Sequence, residues 1–87
     1  MSRRITANAL ESRPTAYWQD AENILEFTQY GGVIRVFRAA PADTWHRRTA
    51  VAEFTTLEIQ QAGYVLTAGK LRKAAAGWIN DNILANR

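Results

Sequence analysis

Residues 23 to 38 constrain this chain more than any other stretch. They read Asn-Ile-Leu-Glu-Phe-Thr-Gln-Tyr, then Gly31-Gly32, then Val-Ile-Arg-Val-Phe-Arg. Two runs rich in β-branched and aromatic residues joined by two glycines predict a tight hairpin, because a two-residue turn that matches strand twist needs positive φ at its centre. With Gly31 and Gly32 in the turn, Tyr30 faces Val33, Gln29 faces Ile34, Thr28 faces Arg35, Phe27 faces Val36 and Glu26 faces Phe37. This register sorts the side chains. Leu25, Phe27, Ile34 and Val36 fall on one face, which is expected to be buried. Glu26, Thr28, Tyr30, Val33, Arg35 and Phe37 share the other, with Glu26 diagonal to Arg35 and expected to pair with it across the strands. That second face is either solvated or a contact surface, since Tyr, Phe and Arg are enriched where proteins bind.

A chain of 87 residues forms one domain and buries roughly 60 to 65% of its unfolded surface, enough for one modest core. Its hydrophobic fraction of 47% argues for a folded core over disorder. Cysteine is absent, which removes disulfides, thiolate metal sites and cysteine nucleophiles together. No apolar run is long enough to cross a membrane, and Arg3-Arg4 is followed by no apolar segment of an export signal. The expectation is a soluble cytoplasmic protein without membrane contact.

Residues 1–14 are expected to be a flexible basic arm, with one short turn capped by Thr6 or Asn8 and ended by Pro14. Tyr17 and Trp18 suggest a short strand over 15–19, since adjacent aromatics on a strand point to opposite faces and one should be buried. A helix from Thr15 to Leu25 is the alternative. After the hairpin, Pro41 marks a loop, and about 44–54 reads as a third strand, with a helix capped by Asp43 as the rival. In that strand Ala50, Ala52 and Phe54 face inward, with His46 and Arg48 extending the row into solvent. Trp45, Arg47, Thr49, Val51 and Glu53 take the other side.

Thr55 with Glu58 three residues later makes a capping box, so a helix is expected over about 56–67. Gly63 in its interior costs about 1 kcal/mol relative to Ala. A second helix is expected over about 70–85, with Ala68-Gly69 a break before it. Leu71, Ala75, Trp78 and Ile79 form its apolar stripe, Ile83 lies at the margin, and Lys70, Lys73, Asn80 and Asp81 lie opposite. The fold class is therefore α+β, a small antiparallel sheet with the C-terminal helices on one face.

The residues for chemistry are sparse. His46 is the single histidine, and no Ser lies near it to act as a nucleophile. The carboxylates show no spacing typical of a metal site or of an acid and base pair. Gly31-Gly32 is a turn and does not feed a phosphate-binding helix. No catalytic residue, cofactor or metal is assigned, and no motif places the chain in a family. The net charge is +3, and nine of the eleven basic residues are Arg, which suits contacts with acidic surfaces or phosphates.

The positive signal is basic residues interleaved with aromatics: Arg35, Phe37, Arg38, Trp45, Arg47 and Arg48 gather if the third strand pairs with the second arm of the hairpin. The expected function is that of a non-enzymatic accessory regulator or inhibitor, of a kind common among phage and mobile-element proteins, that contacts a protein or ribonucleoprotein complex through this zone. Direct nucleic-acid binding is the alternative, through the sheet or through a helix-turn-helix-like arrangement of the C-terminal helices. Homodimerisation through a sheet edge is a third option.

Overall fold

The structure, a computed structural model, describes residues 4–12, 15–20, 24–39, 48–62 and 66–86. Five strands form one antiparallel sheet in sequential order: β1 (Glu11–Ser12), β2 (Ala16–Gln19), β3 (Ile24–Tyr30), β4 (Val33–Ala39) and β5 (Thr49–Phe54). Two helices follow, α1 (Leu57–Ala62) and α2 (Ala68–Asn82), with short 3-10 turns at Ala7–Ala9 and Leu84–Asn86. This is the α+β architecture expected.

The hairpin has the register that the glycine pair predicts, from Tyr30 opposite Val33 through Glu26 opposite Phe37. Gly31 and Gly32 have φ of 61° and 80°, as a type I′ turn demands of both central residues. The alternation then fixes the core. Leu25, Phe27, Ile34 and Val36 are buried, and Ala16 and Trp18 of β2 join them from opposite Phe27 and Leu25.

The helical layer packs on this face. Leu71, Ala75, Ala76 and Ile79 of α2 belong to the same buried cluster as Phe27 and Val36. Trp78 meets the Phe27 ring edge-on at 5.7 Å and stacks on Phe54 at 6.3 Å. Such ring pairs add roughly 0.5–1.5 kcal/mol each beyond their area. Helix α1 is set by Ile59, which is buried and packs beside the hairpin turn, where a Cβ on Gly32 would lie 3.3 Å from Ile59 Cγ2.

Several expectations change. Helix α1 is capped by Thr56, whose hydroxyl accepts from Ile59 N–H at 3.2 Å, while the Thr55 hydroxyl takes the Gln60 side chain at 2.6 Å. Its described part is Leu57–Ala62, and it does not reach Thr67, because Thr67 starts α2 by accepting from Lys70 N–H at 3.3 Å. Ala68 and Gly69 therefore open α2 and do not break it. Asn80, expected on the solvent side of α2, is buried.

It is buried because the N-terminal stretch lies over it. Ile5 donates to Asn80 Oδ1 at 2.8 Å and accepts from Asn80 Nδ2 at 2.9 Å. Leu10 is buried and β1 pairs with β2, so residues 4–12 of the expected arm are packed onto the domain. A second amide does the same elsewhere. Gln29 on β3 donates to Leu66 O at 3.1 Å and accepts from Leu66 N–H at 2.8 Å, tying the connection before α2 to the hairpin. Arg3, Pro14, Pro41, Asp43, His46 and Gly63 lie outside the described residues.

Candidate functional site

The sheet face away from the helices carries the surface that the sequence singles out. One row crosses it from Glu11 through Tyr17, Glu26 and Phe37 to Ala50, and the next runs from Thr28 through Arg35 to Glu53. Tyr30 and Val33 close it at the turn, with Tyr30 76% exposed.

The centre of this face is Glu26, only 6% exposed. A buried carboxylate needs partners to offset its desolvation, and three groups supply them. Tyr17 donates its hydroxyl to Oε2 at 2.6 Å, Thr15 donates to the same oxygen at 3.2 Å, and Arg48 Nε lies 3.4 Å from Oε1. The Arg48 guanidinium also stands over the Phe37 ring, 5.2 Å from its centroid. A cation over a partly exposed ring is worth about 0.5–1 kcal/mol. One carboxylate, one guanidinium and two aromatic rings are thereby joined across β2, β3, β4 and the start of β5.

Arg35 does not reach Glu26. It pairs with Glu53, directly opposite on β5, with Nε and Oε1 3.0 Å apart. The expected diagonal pair gives way because β5 offers a carboxylate straight across. At 46% and 58% side-chain exposure this pair contributes between nothing and about 1 kcal/mol.

Arg48 is on this face because of an irregularity in β5. Val36 pairs with Ala52, but Phe37 pairs with Ala50, so Val51 is an extra residue without an opposite number. A bulge of this kind reverses the alternation beyond it. Ala50 and Arg48 thus move to the outer face, against the expectation that both point with Ala52 and Phe54, and Thr49 moves inward opposite Arg38.

Of the six candidate contact residues, the structure brings Arg35, Phe37 and Arg48 together. Arg38 separates from them, because it pairs with Leu25 and so belongs to the helix side of the sheet, exposed at its margin. Trp45 and Arg47 lie outside the described residues. Glu26, Tyr17 and Thr15 are the residues that sequence reasoning did not assign. The register alone would have aligned Tyr17 with Glu26, given the strand at 16–19.

Among the described residues no group of three or more His, Asp or Glu could hold a metal ion, and no helix is long and apolar enough to cross a membrane. Comparison with protein-family models, with curated proteins and with solved structures gives no match.

Proposed function

We propose that this chain is a non-enzymatic binding protein, an accessory regulator or inhibitor that contacts a protein partner, alone or within a ribonucleoprotein complex, through the outer face of its sheet. The observation that carries this reading is the state of Arg48, which is engaged by the buried carboxylate of Glu26 and by the Phe37 ring. A guanidinium already held by a buried carboxylate contributes little to a phosphate backbone, whose affinity comes from neutralising bare charge and releasing counterions. It suits a protein surface, where an ordered Arg beside aromatic area is the usual anchor of an interface. Tyr30 and Val51 add exposed apolar area to the sheet, at 76% and 48% exposure.

Affinity purification of the tagged chain from its native host, with and without nuclease, followed by mass spectrometry, tests the reading. The expected result is a specific partner that survives nuclease and is lost from a Phe37→Ser, Arg35→Asp variant that circular dichroism shows to be folded at the temperature of the pull-down. Recovery of the same proteins by wild type and variant would sink it. Loss of all association on nuclease treatment would hand the face to direct nucleic-acid binding.

A further inference from the structure

A second surface lies on the opposite side of the molecule, where α1 and the first two turns of α2 diverge. They bound an open groove of about 330 Å³, whose apolar residues are Leu57, Leu66 and Ala74 and whose rim carries Lys70, Lys73 and Glu58. This volume is at the lower end of the range for ligand sites, roughly 300–1,000 Å³. Both walls are anchored to the hairpin, α1 through Ile59 beside Gly32 and the floor through the Gln29 amide on Leu66. The groove is therefore formed before anything enters it.

Leu57 is 65% exposed at the edge of this groove. Beside it, the rim carries two ammonium groups against one carboxylate. Lys70 and Lys73 are three residues apart on α2, so their Cβ atoms lie about 5–6 Å from each other on one face. Glu58 reaches Lys70 at 3.7 Å, and the two side chains are 53% and 49% exposed. An ion pair this open to solvent is weak, so a carboxylate from outside can take the place of Glu58.

We infer that this groove docks an acidic, amphipathic peptide segment of a partner protein, which sets an apolar side chain against Leu57, Leu66 and Ala74 and its carboxylates against Lys70 and Lys73. The surface is distinct from the outer sheet face, and either can fail without the other. Glu58 acts as an internal competitor for the site, which gives the proposal a sign that non-specific attraction to lysine does not share.

The test is fluorescence anisotropy with a labelled helical peptide bearing Leu and Phe between Asp and Glu residues, and with its Asn/Gln analogue. Lys70→Glu with Lys73→Glu is expected to weaken the acidic peptide by about ten-fold or more, the equivalent of losing two surface charge contacts. Glu58→Gln should tighten it by roughly two- to three-fold, Leu57→Ala should weaken it, and Phe37→Ala on the sheet should leave it unchanged. Amide resonances of Leu66 and Ala74 should shift on titration. If Leu57→Ala lowers the melting temperature, the double charge reversal of Lys70 and Lys73 decides the matter. Absence of binding by wild type at about 1 mM peptide, equal binding of the neutral analogue, or indifference to the double charge reversal would overturn the proposal.

Discussion

Asn80, in the last turn of α2, pairs its side-chain amide with the backbone of Ile5 as one strand residue pairs with another, accepting from the N–H at 2.8 Å and donating to the carbonyl at 2.9 Å. Both ends of the amide are used, and Asn80 is only 6% exposed. Removing it leaves two backbone groups of Ile5 to find water under a packed segment. Asn80→Ala should cost about 1–3 kcal/mol. Asn80→Asp should be no milder, since it sets a carboxylate against the Ile5 carbonyl. Thermal melts measure the loss, and hydrogen exchange at the Ile5 amide should show where it occurs.

Glu26 and Arg48 are expected to behave as a coupled pair. Arg48→Ala should cost about 1 kcal/mol, from one half-open ion pair and one cation over a ring. Glu26→Ala should cost more, about 1–3 kcal/mol, because it removes the acceptor of the 2.6 Å bond from the Tyr17 hydroxyl together with the Arg48 contact. A double-mutant cycle in denaturant titrations should return a non-zero coupling energy. Additive losses would mean that the 3.4 Å contact holds nothing.

The two turn glycines should respond differently to substitution. Gly31 has φ of 61° and nothing within 4 Å of an added Cβ, so Gly31→Asn should be close to neutral, as Asn tolerates this conformation. Gly32 has φ of 80°, and an added Cβ would meet Ile59 at 3.3 Å. Gly32→Ala should therefore destabilise by about 1 kcal/mol or more and loosen α1. Equal melting temperatures for the two variants would contradict this.

Gln29→Ala should act at a distance from its own strand. Its amide holds the backbone of Leu66, so the variant should raise hydrogen exchange at Leu66 well above that at Phe27 in the same sheet. A global loss of about 1–2 kcal/mol is expected alongside.

The hairpin was legible because two adjacent glycines leave one turn geometry, and that geometry fixes every pairing out to Leu25 and Arg38. The stripe of α2 was legible for the same kind of reason, a period sustained over Leu71, Ala75 and Ile79. The bulge at Val51 was not. It sits in an Ala-Val-Ala run with no glycine or proline to mark it, and it sends Arg48 to the opposite side from the one that alternation predicts. Nor do Asn80 and Gln29 announce themselves, since a polar residue reads as solvent-facing until the backbone that it binds is known. The candidate surface was thus half visible: its outer row followed from the hairpin, and its central carboxylate depended on a neighbouring strand and on a one-residue slip.

Each strand of this sheet pairs with the next in sequence, so the sheet can zip up through short-range steps, the regime in which folding is rapid. The bond pair between Ile5 and Asn80 spans 75 residues and gains nothing until both the meander and α2 exist. It should close last and open first. Mutating it should then leave the refolding rate nearly untouched and accelerate unfolding, so that this contact sets how long the native state lasts and has little say in how fast it is reached.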